Sequence, residues 1–172
     1  MKKILLTGYM GSGKSIIGKL LAQKLAINHY DLDDLIEKRL ETSVSEIFKQ
    51  KGEIFFRKTE HAILNEIIHS EETFVLSLGG GTPCYANNHL ALLDKKVTSF
   101  YLNASITTLS SRLAEEKAHR PLIAHLNEDE LKEYIAKHLF DRSYFYNQAN
   151  YTIKIDAKSS DDIVKEILSL LT

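Results

Sequence analysis

Residues 8–15 read Gly8-Tyr9-Met10-Gly11-Ser12-Gly13-Lys14-Ser15, with glycine at the first and sixth places and Lys-Ser closing the run. The apolar stretch Ile4-Leu5-Leu6 precedes it, and the helix-patterned stretch Ile16-Ile17-Gly18-Lys19-Leu20-Leu21 follows. A G-x-x-x-x-G-K-[ST] run between a strand and a helix is the P-loop pattern. It restricts the fold sharply, because a buried strand must turn at once into a helix whose N-terminus faces an anion. Glycines let the backbone approach a phosphate, and consecutive amide N–H groups with the helix end supply partial positive charge. The phosphate-binding residues expected here are Gly11, Ser12, Gly13, Lys14, Ser15 and Ile16. Lys14 brings a full charge to the outer phosphates, and the Ser15 hydroxyl suits a magnesium ligand. The alternative, an ordinary Gly-rich turn, matches the full pattern by accident in under about one chain in a hundred of this length.

The remaining chain is consistent with an α/β domain. Strand-like apolar runs recur at Lys3–Leu6, His29–Leu32, Phe74–Leu78, Val97–Leu102 and Tyr151–Ile155, separated by helical patterns. Short apolar runs of this kind mark strands covered on both faces, and their alternation with helices predicts a parallel sheet. Ser43-x-x-Glu46 reads as a capping box and Asn127-x-x-Glu130 opens a long helix with Leu131, Tyr134, Ile135, His138, Leu139 and Arg142 along one stripe. Ser159-Ser160-Asp161-Asp162 opens a last amphipathic helix. No repeat, linker or low-complexity tract divides the 172 residues, so one domain over 1–172 is expected.

Composition removes several function classes. A formal net charge of -1 gives no general attraction to nucleic acid or to a membrane surface. No run approaches the roughly 18 apolar residues of a membrane span. Met1-Lys2-Lys3 leads directly into the first strand without a secretory signal, and the single Cys84 precludes an internal disulfide, so a cytoplasmic location is expected. The seven histidines show no metal-ligand spacing, so no site built from protein ligands alone is expected. Nothing suggests an obligate interface, and a monomer is the expectation.

Further residues narrow the chemistry. The strand Phe74–Leu78 carries Ser77 where many P-loop ATPases end in a magnesium-side aspartate, and no Asn-Lys-x-Asp sequence reads guanine. The acidic groups come instead from Asp31-Leu32-Asp33-Asp34, at the carboxyl end of the second strand, where parallel sheets place their ligands. An extended backbone aims Asp31 and Asp33 along one side. One can steady magnesium, directly or through water, and the other can orient an acceptor hydroxyl and take its proton. The competing reading, an acidic helix start favoured by the helix dipole, suits Asp34. Gly79-Gly80-Gly81 after a buried strand costs backbone entropy and brings backbone amides close to a ligand, or else forms a tight turn. Arg57 and Arg142 each lie among aromatics. Arg57 either pairs with Glu60 at i+3 or joins Arg142 in clamping a substrate carboxylate. Arg112, near the end of a Ser105–Ala114 helix, either stacks on a base or is a solvated arginine near a helix end. The aperiodic stretch 115–126 is either a surface loop or a mobile lid that carries Arg120.

These motifs occur in one order: Gly8–Ser15, Asp31-x-Asp33, Glu46-Ile47-Phe48, Gly52-Glu53 with Phe56-Arg57 and Glu60, Gly79-Gly80-Gly81, Arg120-Pro121-Leu122, and Arg142 before Tyr146. In that order and spacing the chain resembles the shikimate kinase family over essentially its whole length. The resemblance implies a three-layer α/β/α P-loop kinase fold whose five-stranded parallel sheet runs 2-3-1-4-5. It implies ATP-dependent phosphorylation of the 3-hydroxyl of shikimate, on the way to chorismate and the aromatic amino acids. It implies an acceptor-binding helical region at about 33–61 and a lid at about 115–126. It assigns Lys14, Asp33 and Arg120 to catalysis, with Asp33 on the ring hydroxyls and Arg120 swinging to the phosphates. It assigns Asp33, Arg57, Arg142 and the Gly79, Gly80, Gly81 backbone to shikimate, Arg112 to adenine, and Ser15 with Asp31 (through water) to Mg2+. Phe48 and Phe56 match apolar walls of the acceptor pocket. Two departures are Ser143-Tyr144-Phe145, where many relatives carry proline and leucine, and Thr82-Pro83-Cys84 after the glycines. A related small-molecule or nucleoside monophosphate kinase is the alternative function, and a non-catalytic nucleotide-binding regulator is the other.

Overall fold

A computed structural model describes residues 2–172; Met1, at the head of the Met1-Lys2-Lys3 lead, lies outside the described residues. Five strands form one sheet: β1 (Lys3–Thr7), β2 (Asn28–Asp31), β3 (Phe74–Ser77), β4 (Val97–Asn103) and β5 (Tyr151–Lys154). They are all parallel and lie in the order β2-β3-β1-β4-β5. The helices are α1 (Lys14–Leu25), α2 (Leu32–Leu40), α3 (Val44–His69), α4 (Ile106–Glu116), α5 (Glu128–Tyr146) and α6 (Ser160–Leu170).

Alternation along the strands splits the core in two. Ile4, Leu6, Val75, Phe100 and Leu102 face a layer built from α1, α4, α5 and α6. Leu5, Phe74 and Leu76 face the layer of α2 and α3. Every residue of β1 is buried, which is why its sequence is a continuous apolar run. Lys3 and Thr7, at its two ends, are the polar exceptions, and the Lys3 ammonium is satisfied by the Ile68 and Ser70 carbonyls at the end of α3. The strands therefore end together, with Asp31 beside Ser77 and Ser77 beside Leu6, and their carboxyl ends form the floor of the site.

Local signals set most boundaries. Asn127 and Glu130 make the reciprocal capping box of α5, and Ser105 and Ser159 cap α4 and α6. At Ser43 only half of the expected box forms: its hydroxyl accepts from the Glu46 amide, while the Glu46 carboxylate is drawn toward Gln50 and Lys49. Helix α3 breaks at Gly52, whose φ of 83° and ψ of 172° glycine alone tolerates well. β2 stops at Asp31, not at Leu32 as the apolar run suggests, because Asp31 caps the next helix.

Candidate active site at the carboxyl ends of the strands

The P-loop wraps the start of α1. Gly8, Gly11 and Gly13 all have positive φ, and Gly13 at 94° is the N-cap of α1, so the amides that follow turn toward the cleft. The Lys14 ammonium donates to the Gly8 and Tyr9 carbonyls at 2.7 and 3.0 Å, curling back over the loop. Burial holds its pKa down at about 8, while the Asp31 and Asp33 carboxylates draw it back up.

Asp31 and Asp33 converge, by a different route from the one the sequence suggests. They are not successive same-side residues of an extended strand. Asp31 is the N-cap of α2, in extended conformation, and its Oδ1 accepts from the Asp33 amide at 3.2 Å inside the first helical turn. The other Asp31 oxygen accepts from the Ser15 hydroxyl at 2.6 Å. Ser15 and Asp31 thus present a paired set of hard oxygen donors, the chemistry a magnesium ion requires. Asp33 lies deeper. Burial first, then the nearby Asp31 and Glu60 carboxylates, push its pKa from the usual 3.8 to about 6, against a smaller opposing pull from Lys14.

The glycine run after β3 has no positive φ at any position, so its glycines do not serve a strained turn. They serve space. A Cβ on Gly79 would sit 2.9 Å from Thr82 Oγ1 and 3.3 Å from Asp33 Oδ1. On Gly81 it would sit 2.8 Å from an Arg57 terminal nitrogen, and on Gly80 3.5 Å from an Arg142 terminal nitrogen. Arg57 and Arg142 therefore flank the same three residues. Arg57 pairs with Glu60 at 2.9 Å and lies 4.0 Å from the Tyr85 ring centroid, so both its pairing and its cation–π contact are satisfied at once.

One cleft of about 450 Å³ is lined by Gly11 to Ile16, Asp31, Asp33, Gly79, Gly80, Arg112 and Arg120. Arg57, Arg142 and Gly81 stand outside its wall, immediately behind the glycine run. Arg112 donates to the Gly11 carbonyl at 3.0 Å from the middle of α4. Arg120 is paired with Glu116 at 2.9 Å on the far rim. Its segment is not wholly a surface loop, since Ile123 is fully buried in the α5-side core. Phe48 and Phe56 pack with their rings tilted by 33° and 4.6 Å between centroids across the Gly52 break. The Cys84 thiol is pushed up to about 11, chiefly by burial, and stays protonated. Among the described residues no cluster of three metal-binding side chains occurs, and no helix is long and apolar enough to cross a membrane.

Several residues of the site carry no local sequence signal. Ser77 donates to the Lys14 carbonyl at 2.8 Å and is itself held by His29 Nε2 at 3.0 Å, which makes β3 a strut under the P-loop. Gly18 leaves room for this, because a Cβ there would lie 2.5 Å from the His29 ring. Thr82 donates to Glu60, Tyr146 donates to the Gly80 carbonyl, and Tyr9 bonds His138. All are contacts between distant parts of the chain, which periodicity and capping rules do not see.

A P-loop over the end of β1, acidic groups from the end of β2 and a sheet in this order define a P-loop kinase: a phosphotransferase of the three-layer α/β/α class. A family model described as shikimate kinase matches residues 10–172. Shikimate kinases of Flavobacterium psychrophilum and Flavobacterium johnsoniae are 54% and 52% identical over 171 residues, covering 99% of this chain and 99% of each relative. The 1.7 Å crystal structure of shikimate kinase from Bacteroides thetaiotaomicron superposes with a TM-score of 0.90 at 36% identity, covering 99% of this chain and 98% of that one. Shikimate kinase from Acinetobacter baumannii in complex with shikimate superposes at 0.87 with 30% identity, covering 99% of this chain and 93% of that one. The chain belongs to the shikimate kinase family, and its activity is the ATP-dependent phosphorylation of shikimate in aromatic biosynthesis.

Proposed function

We propose that the phosphoryl group passes from ATP to the 3-hydroxyl of shikimate, with Asp33 as the group that orients the acceptor oxygen and takes its proton. The observation that carries this reading is Asp33 itself. It is a desolvated carboxylate with a pKa near 6, on the same cleft wall as Lys14 and the P-loop amides. A base poised near the working pH and within reach of the phosphate site is what transfer to an alcohol needs.

The remaining roles follow from charge and position. Lys14 and Arg120 meet negative charge on the transferring group, and the amides of Gly11 to Ile16 hold the phosphates. Arg112, hydrogen-bonded to the Gly11 carbonyl of the P-loop, borders the base. Arg57 and Arg142, on the two flanks of Gly79, Gly80 and Gly81, hold the shikimate carboxylate, because two guanidinium forks offer it a matched set of donors. Residues 33–61 form the acceptor-binding region, and 115–126 act as a lid hinged about the buried Ile123, bringing Arg120 in and excluding water. Ser15, with Asp31 through water, would hold Mg2+, which supplies charge neutralisation on the phosphates when bound. The enzyme works as a cytoplasmic monomer.

The test is ADP release with and without shikimate in wild type and Asp33→Asn, with 31P NMR of the product to identify the esterified hydroxyl. Strong shikimate-dependent release in wild type, lost in the variant while ATP still binds, supports the assignment. Undiminished turnover in Asp33→Asn removes Asp33 from the role.

A further inference from the structure

His138, Arg142 and Tyr146 are spaced four apart on α5 and share one stripe of that helix. Each end of the stripe is fastened to a different loop of the site. Tyr146 is fully buried and donates to the Gly80 carbonyl, one turn after Arg142. One turn before Arg142, His138 Nδ1 lies 2.9 Å from the Tyr9 hydroxyl. Tyr9 belongs to the phosphate loop, is 1% exposed, and its own carbonyl accepts from Lys14. The Arg142 guanidinium lies between these ties, 5.7 Å from the Tyr9 ring centroid.

The two environments make the Tyr9–His138 bond one between uncharged groups. Burial raises the Tyr9 phenol, so it keeps its proton. Burial, and then the Arg142 cation, lower His138, so the imidazole is neutral with one acceptor nitrogen. Two neutral partners thus share one hydrogen bond, its donor set by the imidazole tautomer. Tyr134 packs edge-on to the His138 ring at 4.3 Å and holds its plane. The first half of α5 is already anchored by Leu131 and Ile135 in the core, so burial of the helix does not require this polar pair.

We infer that His138 and Tyr9 are positioning residues: their hydrogen bond ties the acceptor-side arginine, Arg142, to the phosphate loop and sets how far its guanidinium reaches toward the shikimate carboxylate. The inference rests on the reading of Arg142 as a ligand of that carboxylate. Neither side chain touches the reacting atoms; both act through the register of α5 against the P-loop.

The test is steady-state kinetics at saturating ATP for His138→Leu, Tyr9→Phe, the double variant, His138→Asn and Arg142→Ala. Tyr9→Phe keeps the ring and so preserves packing even if His138→Leu folds poorly. Each single variant should raise KM for shikimate about tenfold with kcat changed less than about twofold, as expected for one lost hydrogen bond that acts on binding. The double variant should be no worse than either single. His138→Asn, whose side-chain amide reaches the Nδ1 position, should recover most of the loss. Unchanged KM in both singles, with a raised KM in Arg142→Ala, overturns the inference and leaves the carboxylate reading intact. Unchanged KM in Arg142→Ala overturns that reading and the inference with it. Equal losses in kcat and KM for shikimate and ATP alike mean general disruption and also overturn it.

Discussion

Arg57 and Glu60 form a 2.9 Å ion pair in which the carboxylate is 1% exposed and the guanidinium 16%. The second Glu60 oxygen accepts from Thr82. One acid thus fixes the direction of Arg57 and the turn that follows the glycine run, and it also adds to the raised pKa of Asp33.

Glu60→Gln should therefore act in two places. Arg57 loses its charged partner, so KM for shikimate should rise several-fold, and stability should fall by about 2 kcal/mol, less than for a fully buried pair because Arg57 keeps some water. Asp33 loses a repelling neighbour, so the acid limb of the kcat–pH profile should move to lower pH. A profile that does not move would disconnect Glu60 from Asp33.

Asp33→Asn should trade activity against stability. The folded-state pKa is raised, so the ionised carboxylate destabilises the fold, and the wild type regains that stability only as Asp33 takes up its proton. The variant should be more stable by on the order of 2 kcal/mol at pH 8, a discounted figure because Asp33 is not fully buried. That advantage should shrink as pH falls below about 6 and vanish near the usual 3.8. Thermal melts at pH 8 and pH 4.5 check the sign. Turnover should fall by about 10² or more.

Lys14, with a pKa held near 8 by burial, is only partly charged above that value when its site is free. Bound triphosphate restores the full charge, so ATP binding should take up protons at pH 8.5 and weaken as pH rises further. Calorimetry in two buffers of different ionisation enthalpy measures the uptake. It should disappear in Lys14→Met, which should also lose most of its affinity for ATP.

Gly81→Ala tests the purpose of the glycine run. Its backbone is not in the left-handed region, so the substitution carries no dihedral strain, but the new methyl would meet the Arg57 tip at 2.8 Å. The flexible guanidinium yields before the backbone does. KM for shikimate should rise about tenfold while Tm moves by only about 2 °C, the shift of a loss under 1 kcal/mol. A large Tm loss would mean that the glycine serves the fold instead.

Reading from sequence succeeded where the cause was local. The P-loop, the Asn127 box and the buried strands are visible because turn chemistry, capping and burial on both faces all leave marks within a few residues. It failed at Ser43, where Glu46 found other partners, and at Asp31 and Asp33, where a helix cap replaces an extended strand. The first is a side chain finding other partners on its own helix, the second a backbone that turns helical one residue earlier than its apolar pattern suggests.

The sequence by itself determined the class of fold, the order of its elements and the types of group available for phosphate and acceptor. Only the tertiary structure decided that Arg57 and Arg142 flank the same glycines, that Ser77 supports the Lys14 carbonyl, and that Tyr9 reaches His138 across 129 positions of the chain. The reason is physical. Backbone conformation answers to neighbours a few residues away, whereas a polar contact between distant segments exists only once packing has removed water and brought both partners to one place.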